Sequence, residues 1–353
     1  MKVAIVGAGI AGASLAAELA PHAEVLLLEA EDHPGYHSTG RSAAFWSESY
    51  GGPLVQPLTT ASGPLLAPFL RPRGALHIAR DAAGEAALDA LERDFAGSAV
   101  PLQRIDPATL VPGLRPAWPS GLWEPSCADI DVAALHSACL ADAKRAGATL
   151  VTGARVDRIA HSRAETRGQS FAADVVVNAA GAWADEVASL AGVDPLGIRP
   201  YRRTIAQLRI DPPAPADLPL VIDALGTFYF KPEAGGRLWL SPHDETACAP
   251  CDAAAEELDV ALAIDRLEKA VDWRVERIER AWAGLRSFAP DRLPIYGYAP
   301  GRTDFFWFAG QGGFGIQTAP AAAKLAASLL LGTSPDEAVA GIDPAPYSPE
   351  RFR

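Results

Sequence analysis

The first 29 residues restrict the fold of this chain more than any other segment, because they join a glycine turn to an acid at a fixed spacing. The pattern of apolar residues predicts a buried strand over 2–6, a tight turn at Gly7-Ala8-Gly9, a helix over 10–20 and a second strand over 25–28 that ends at Glu29. A strand, a glycine turn and a helix in this order are typical of a dinucleotide-binding βαβ unit.

Each glycine has a separate task in such a unit. Gly7 permits the turn, Gly9 lets the backbone approach a pyrophosphate, and Gly12 lets the helix lie close to the strand. The free N–H groups at the start of the helix, at Ile10 and Ala11, favour phosphate. Glu29 falls about 20 residues after the glycines, where a carboxylate accepts hydrogen bonds from ribose hydroxyls and disfavours the 2′-phosphate of NADP.

The same stretch resembles a signal peptide in its small apolar residues. It has only Lys2 as a basic residue before the apolar run, however, and Glu18 interrupts that run. We therefore expect a folded nucleotide-binding segment rather than a secretion signal.

Composition limits the remaining classes. A chain of 353 residues is long enough for two domains, and a net charge of −12 argues against a nucleic-acid partner. No uninterrupted apolar run is long enough for a transmembrane segment. Four cysteines are too few for a disulfide scaffold, so we expect a cytoplasmic protein, with peripheral contact to the inner membrane left open.

Cys248 and Cys251 form the one CxxC pair. A zinc site needs four ligands, and only His243 and acidic residues lie nearby in the sequence. We therefore predict no metal site, and a loop with two thiols is favoured over a redox dithiol.

The rest of the chain alternates strands and helices at both ends and is richer in strands in the middle, which predicts an α/β protein with a Rossmann-like domain interrupted by an antiparallel sheet. Asp131 is the expected N-cap of a helix over 132–146, and further helices are predicted over 256–270 and 316–331. Strands are predicted over 149–159, 173–178, 274–282 and 305–309, with several more between 203 and 240. We assign 1–75, 130–195 and 285–353 to the nucleotide domain, and 76–129 and 196–284 to the substrate domain.

Five segments in order, VAIVGAGIAGAS…LLLEAE, PGYHSTGRSAA, VVNAAGAW, WAGLRSF and QGGFGIQT, resemble the FAD-dependent D-amino-acid oxidase and glycine oxidase superfamily. The likeness runs from Val3 to about Thr318 and is strongest to D-arginine dehydrogenases. It implies a glutathione-reductase-type FAD domain and a non-covalent FAD. Besides the residues of the first turn, it implies cofactor contacts at Thr39, Arg41, Ser42, Ala43, Val156, Ala180, Gly181, Trp183, Gly312, Gly315 and Ile316.

The resemblance also implies a substrate site in which arginines and tyrosines hold a carboxylate. The corresponding residues are Tyr50, Arg202, Tyr229 and Arg286, with Gly313 and Gln317 beside the flavin. Arg202 and Arg203 are adjacent on a strand, so only one of them can enter the pocket, and the resemblance selects Arg202.

Two departures from D-arginine dehydrogenases concern specificity. Phe45 stands where those enzymes have a histidine, and Ala75 stands where they have the glutamate that binds the substrate guanidinium. With Trp46 and Leu76 nearby, these residues predict an apolar pocket that disfavours D-arginine and D-lysine. Glu48 is a possible replacement acid, although a lid position facing solvent is favoured for it.

The expected reaction is the oxidative deamination of a small D-amino acid to a 2-keto acid and ammonia, by hydride transfer to flavin N5. A quinone or oxygen accepts the electrons, and the sequence does not choose between them. Three alternatives stay open: a secondary-amine or glycine oxidase, an FAD-dependent 2-hydroxy-acid dehydrogenase with His37, His77 or His243 as base, and a non-catalytic flavin-bearing subunit of a complex.

Overall fold

The computed structural model describes residues 1–160 and 162–353. Its strands, in chain order, are β1 (Lys2–Val6), β2 (Glu24–Leu28), β3 (Phe45–Trp46), β4 (Leu70–Pro72), β5 (Ala75–Ala79), β6 (Gln103–Ile105), β7 (Ser120–Glu124), β8 (Ala128–Ile130), β9 (Thr149–Val151), β10 (Val156–Ala160), β11 (Arg163–Thr166), β12 (Gln169–Ala172), β13 (Val175–Asn178), β14 (Arg199–Asp211), β15 (Leu220–Asp223), β16 (Tyr229–Glu233), β17 (Arg237–Ser241), β18 (Thr246–Ala247), β19 (Arg274–Phe288), β20 (Ile295–Tyr298), β21 (Phe305–Ala309) and β22 (Gln311–Gly312).

The α-helices are α1 (Ile10–Leu19), α2 (Gln56–Leu66), α3 (Ala82–Asp94), α4 (Val132–Arg145), α5 (Ala184–Leu190), α6 (Glu257–Ala270) and α7 (Gly315–Leu331). Short 3₁₀ turns cover Ala67–Phe69, Pro107–Thr109, Gly181–Trp183, Glu337–Val339, Ala345–Tyr347 and Pro349–Phe352. Within the described residues, no helix is both long and apolar enough to span a bilayer.

A six-stranded sheet in the order β20-β21-β13-β1-β2-β9 carries the glycine turn. Its strands are parallel except β20, which runs antiparallel to β21. Helices α1 and α7 pack on one face, where Leu15, Leu19 and Leu325 are buried against Ile5 and Phe306. Strands buried on both faces read as continuous apolar runs, which is why β1 and β21 were recognisable in the sequence.

A ten-stranded sheet forms the second layer, in the order β22-β19-β14-β17-β16-β15-β5-β7-β6, with β18 also pairing with β14. It is antiparallel apart from the pair β5 and β15. Its longest strands, β14 and β19, pair with each other near one edge, and α6 covers one face through Val260, Ala263 and Leu267. The chain therefore begins in the six-stranded sheet (the cofactor sheet), continues into the ten-stranded sheet (the large sheet) and then returns to the six-stranded sheet.

The predicted α/β fold with a discontinuous Rossmann-like unit is confirmed, and Asp131 caps α4 by accepting a hydrogen bond from the Ala134 amide. The strand predicted over 274–282 is too short, because β19 continues to Phe288 alongside β14. The predicted domain boundaries at 75 and 285 fall inside β5 and β19, and the division itself stays a prediction. Helices α2 and α3 were not predicted.

Candidate active site

The glycine turn forms the floor of a long cleft at the carboxyl ends of β1 and β2. Gly7 has a φ of +102°, and a Cβ there would lie 2.5 Å from the Ala179 carbonyl oxygen. A methyl group on Gly12 would overlap the carbonyl oxygen of Gly7. Only glycine fits at either position, so helix α1 begins close to β1 at the floor of the cleft.

The side chains of Glu29 and Thr39 are fixed by hydrogen bonds at the end of the cleft nearest the glycine turn. The Glu29 carboxylate accepts hydrogen bonds from the Ala8 amide (2.8 Å) and the Glu31 amide (3.0 Å), and Thr39 Oγ1 accepts one from the Ile10 amide (3.0 Å). Both residues are buried at the rim of the cleft. These contacts fix the carboxylate where the sequence pattern expected a ribose acceptor.

Arg41 lines the cleft, but its guanidinium is hydrogen-bonded to other groups of the protein. Its Nη1 donates to the carbonyl oxygens of Ala253 (2.8 Å) and Ala283 (3.2 Å), its Nε donates to the Tyr36 carbonyl, and Nη2 pairs with Asp252. The guanidinium therefore anchors the segment after β2 to the large sheet, and its N–H groups are used within the protein although Arg41 lines the cleft.

The structure brings the expected cofactor residues together on one cleft. The lining includes Gly7, Gly9, Ile10, Ala11, Glu29, Thr39, Arg41, Ser42, Ala43, Val156, Ala180, Gly181, Trp183, Gly312, Gly315 and Ile316. Gly12 lies behind the turn and acts through packing. A narrow channel of this length, floored by a helix start and by backbone that tolerates no Cβ, fits a dinucleotide.

At its far end the cleft meets a small niche bounded by Ser42, Phe45, Tyr50, Tyr229, Arg286 and Gly313. Arg286 Nη1 donates a hydrogen bond to the Tyr50 hydroxyl at 2.8 Å. A Cβ on Gly313 would overlap that hydroxyl and would lie 3.0 Å from Arg286 Nη1. The absence of a side chain at Gly313 therefore leaves the guanidinium open toward the cofactor cleft.

Arg202 does not enter this site, which corrects the expectation drawn from the resemblance. Its guanidinium donates to Glu256 (2.8 Å) and Asp259 (2.7 Å) on the opposite face of β14. In the register of β14 and β19, Arg203 faces Gly284 and Tyr201 faces Arg286, so Arg203 and Arg286 share a face. Residues opposite one another in antiparallel strands point to the same side, and this pairing selects Arg203.

A larger chamber of about 390 Å³ opens beyond Arg286. Its apolar wall comes from Phe45, Ile222 and the α3 residues Leu88 and Leu91. Its polar wall comes from Arg203, Tyr229, His77 and His243, together with Tyr50, Ser47, Ser49 and Asp223. The space is larger than glycine alone requires, so the chamber has room for a substrate side chain or N-substituent.

Four polar atoms around this chamber are buried without a hydrogen-bond partner among the described residues: Arg203 Nη1, Tyr229 Oη, His77 Nε2 and His243 Nδ1. Burial lowers the pKa of His77 to about 4, and burial together with the charges of Arg203 and Arg286 lowers the pKa of His243 to about 2. Both imidazoles are neutral at pH 7. Unpaired buried polar groups are uncommon in proteins, and here they converge on one cavity.

Gln317 is a positioning residue. Its Oε1 accepts from the Ser47 amide (3.2 Å), and its Nε2 donates to the Tyr50 carbonyl (3.0 Å) and to Thr59 Oγ1 (2.9 Å). It ties helix α7 to the segment that carries Tyr50. All polar atoms of its amide are used within the protein, so it sets the place of Tyr50 through the backbone.

Glu124, which the sequence analysis did not identify, holds residues 47–49 in place by hydrogen bonds. This fully buried carboxylate accepts hydrogen bonds from the Glu48 amide (2.7 Å) and from the hydroxyls of Ser47 (2.9 Å) and Ser49 (2.5 Å). Burial raises the pKa of Glu124. No sequence signal marked Glu124, because its partners are distant in the chain.

Several expectations about specificity need correction. Glu48 is buried and accepts from Thr60 Oγ1 (2.6 Å), so it neither faces solvent nor lines the chamber. Trp46 donates its indole N–H to the Thr59 carbonyl, and Leu76 is buried in the core under α6. Of the residues named for an apolar pocket, Phe45 alone lines the chamber.

The histidines and cysteines divide by position. His77 and His243 lie on the chamber wall, whereas His37 bonds Glu31 (2.9 Å) at the other end of the cleft. Neither Cys248 nor Cys251 lines the cleft or the chamber, and both are free thiols. Over the described part of the chain, no group of three or more His, Cys, Asp or Glu side chains is placed to hold a metal ion.

Comparison with protein families finds a match to the model described as FAD dependent oxidoreductase over residues 2–329. A glycine oxidase of Pseudomonas aeruginosa is 33% identical over 56% of this chain, and that match spans only half of the relative's length. A glycine oxidase of Geobacillus kaustophilus is 27% identical over 98% of this chain and 96% of its own length.

Solved structures extend the similarity to the whole fold. The crystal structure of glycine oxidase from Geobacillus kaustophilus superimposes with a TM-score of 0.85 at 26% identity, covering 98% of this chain and 97% of that one. The crystal structure of L-proline dehydrogenase from P. horikoshii gives a TM-score of 0.87 at 22% identity over 99% and 97% of the two chains. The second similarity concerns the fold alone.

Proposed function

Since the chain belongs to the family of FAD-dependent oxidoreductases, we propose that it oxidises the Cα–N bond of a D-amino acid to an imino acid, which water hydrolyses to a 2-keto acid and ammonia. The observation that carries the proposal is the hydrogen-bonded pair of Arg286 and Tyr50 at the junction of the cofactor cleft and the chamber. A guanidinium presents two parallel N–H groups that match a carboxylate.

FAD fits the cleft, because Gly7 and Gly9 line it without side chains and the start of helix α1 forms its floor. Glu29 and Thr39 would bound its adenosine half, and Gly312, Gly313 and Ile316 its reactive end. When bound, FAD accepts a hydride from the substrate carbon at its N5 atom. No cysteine of the described chain lines the cleft, which supports a non-covalent cofactor.

The protein's own contribution is orientation and charge. Arg286 and Tyr50 hold the carboxylate, and the unpaired Tyr229 hydroxyl is free to donate to it as well. Two arginines on the same wall disfavour a further positive charge, so the substrate ammonium loses its proton more readily in this site. The neutral amine is the form that can be oxidised. Phe45 adds an apolar ring to the lining of the niche.

A second candidate is a secondary-amine or glycine-type oxidase, supported by the glycine oxidases among the relatives. It needs the same carboxylate clamp and differs in which group occupies the chamber. A 2-hydroxy-acid dehydrogenase is less well supported. It needs a base for the hydroxyl proton, and the depressed pKa values of His77 and His243 make both imidazoles weak bases.

Anaerobic flavin reduction tests the proposal directly. The purified yellow protein is mixed without oxygen with D- and L-amino acids, glycine, sarcosine and 2-hydroxy acids, and loss of flavin absorbance is followed. We expect bleaching by D-amino acids. Faster bleaching by sarcosine or glycine would support the second candidate, and bleaching only by hydroxy acids would overturn both. A flavin that no donor reduces would indicate a non-catalytic subunit.

Two added measurements define the cofactor and the acceptor. Acid precipitation should release about one FAD per chain into the supernatant, because no covalent attachment is expected, and a yellow pellet would contradict this. Reoxidation of the bleached protein in air, compared with reoxidation by a soluble quinone, identifies the electron acceptor.

A further inference from the structure

Arg203 keeps one buried N–H group at the chamber that no described residue accepts, and we propose that the preferred substrate is an amine with a second carboxylate, bound by Arg203 with His77 and His243 beside it. The substrate class is a dicarboxylic amino acid or an N-carboxyalkyl amino acid. This inference rests on the proposed amine oxidation and names its substrate more narrowly.

The two arginines are arranged for two different groups. Arg203 lies opposite Gly284 in the register of β14 and β19, so it is the diagonal neighbour of Arg286 on one face of the sheet. Such neighbours are about 7–8 Å apart at the backbone. Both arginines line the cleft and the chamber, but only Arg286 also lines the niche beside Gly313, where it bonds Tyr50. Arg203 is held separately, by the hydrogen bond from its Nε to the Asp244 carbonyl at 2.8 Å.

Arg203 is only partly neutralised by the protein. Its side chain is 5% exposed, its Nη2 lies 3.2 Å from Glu245 Oε1 and its Nε lies 4.0 Å from Asp244 Oδ1, but Glu245 also pairs with the exposed Arg292 and Asp244 also pairs with Arg202. Its Nη1 is buried at the chamber with no hydrogen-bond partner among the described residues. A buried guanidinium with an unused N–H group calls for an acceptor. The chamber is the space from which that acceptor can come.

The remaining groups around the chamber favour an anion over a cation. His77 and His243 are neutral and each has an unpaired ring nitrogen that can carry a donor N–H. The Asp223 carboxylate is occupied by the amides of Leu225 and Thr227 and by the Thr227 hydroxyl.

The other acids do not change this balance. Asp94 lies exposed at the mouth, and Glu124 is covered by Ser47 and Ser49. A cationic side chain would therefore meet two arginines, and the carboxylates among the described residues that line the chamber are either hydrogen-bonded within the protein, as in Asp223, or exposed, as in Asp94.

The apolar wall suits the carbons between two carboxylates. Phe45, Leu88, Leu91 and Ile222 line the same chamber as the polar cluster. With the first carboxylate at Arg286 and the second at Arg203, the intervening methylene or N-methylene groups contact this wall. The chamber volume of about 390 Å³ accommodates such a molecule.

Isosteric substrate pairs test the inference. D-glutamate is compared with D-glutamine, D-aspartate with D-asparagine, and iminodiacetate with its monoamide, which differ in charge but little in shape. We expect kcat/KM for the preferred diacid to exceed that for its amide roughly 30-fold, because a charge-assisted pair replaces a neutral hydrogen bond. A ratio at or below one for all three pairs overturns the inference.

Two neighbouring arginines supply matched variants. Arg203→Met should bring the acid-to-amide ratio close to one, whereas Arg202→Met, on the opposite face of the same strand, should leave the ratio as in the wild type. If Arg203→Met lowers kcat/KM equally for acid and amide, Arg203 shares the first carboxylate and the inference is wrong. Flavin content and Tm of both variants establish that they fold.

A binding measurement separates this inference from the proposed reaction. Glutarate and succinate have two carboxylates and no amine, and their perturbation of the flavin spectrum is compared with that of valerate and butyrate. Tighter binding of the diacids that Arg203→Met abolishes supports the subsite even if no amine reduces the flavin. Flavin reduction by neutral amino acids together with equal binding of diacids and monoacids overturns the subsite and leaves the proposed function standing.

Discussion

The adenosine end of the cofactor cleft and the substrate chamber differ in whether their buried polar atoms have hydrogen-bond partners within the protein. At the adenosine end, Glu29 and Thr39 accept hydrogen bonds from the amides of Ala8, Glu31 and Ile10. In the chamber, one polar atom each of Arg203, Tyr229, His77 and His243 is buried without a hydrogen-bond partner in the part of the chain that the structure describes. The first region is rigid before any ligand arrives, and the second is complete only with one.

The two regions also differ in how the chain builds them. The adenosine end comes mainly from residues 7–43, within a single βαβ unit and the loop after it. The chamber takes residues from β3, α3, β5, β14, β16 and β19. A local motif therefore determines the cofactor, and long-range strand pairing determines the substrate.

The largest effect is expected from a substitution at the adenosine end of the cleft. In Gly12→Ala the new methyl group would overlap the Gly7 carbonyl oxygen, which is backbone and cannot move aside. We expect a stability loss of about 3 kcal/mol or more and a fall on the order of tenfold in bound FAD. The ratio of flavin to protein absorbance and the Tm check this. Gly341→Ala, where a Cβ meets nothing within 4 Å, is the control, and equal flavin content in the two variants would contradict the assignment.

The next prediction concerns the junction of the two regions. Arg286→Lys keeps the charge but loses the two-pronged donor, so the substrate carbon is misplaced while FAD stays bound. We expect kcat/KM for every carboxylate substrate to fall about 100-fold. Stopped-flow flavin reduction is the measurement, and Arg202→Lys, paired with Glu256 and Asp259, is the matched control. Wild-type rates in Arg286→Lys would remove this residue from the site.

A smaller effect is expected from the hydroxyl that holds Arg286. Tyr50→Phe deletes the 2.8 Å hydrogen bond and retains the ring. We expect kcat/KM to fall roughly tenfold, since the lost bond involves a charged group. Tyr298→Phe, which loses a hydrogen bond to the Leu330 carbonyl far from the cleft, should keep normal kinetics. Equal rates in the two variants would show that Arg286 needs no partner.

The smallest effect is a pH dependence of stability. The pKa of His77 is about 4 in the folded chain and ordinarily 6.5, so the unfolded chain takes up a proton first as the pH falls. The stability contributed by neutral His77 is present above pH 6.5 and is lost as the pH falls from 6.5 through 4. In His77→Gln the decrease of Tm between pH 7 and 5 should be smaller by about 1–3 °C. Exposed His22→Gln should behave as the wild type.

Sequence patterns predicted the cofactor sheet well, because β1, β2, β13 and β21 are short apolar runs, and α1 and α7 follow glycine turns. The same reasoning missed α2, which contains Pro64 inside the helix. It also missed α3, whose moderately apolar face became visible only through packing on Ala79 and Leu122. Tertiary contacts outweigh local propensity in both helices.

The choice between Arg202 and Arg203 shows where sequence reasoning ends. The alternation of side chains along β14 correctly required one of the two to face away from the site. Which one does so depends on the register against β19, and a shift by one residue exchanges the faces. No sequence feature near Arg203 indicates the register of β14 against β19.

The anchoring of Arg41 by Asp252, Ala253 and Ala283 has a consequence for biosynthesis. A ribosome makes the glycine turn first, yet the loop bearing Arg41 acquires these partners only after residue 283 has left the exit tunnel. Strand β1 likewise pairs with β13, which is synthesised much later, and β13 pairs with β21, which ends at Ala309. The nascent chain therefore carries an early nucleotide motif that stays incomplete until β21 has been translated, so cofactor loading follows the synthesis of that strand.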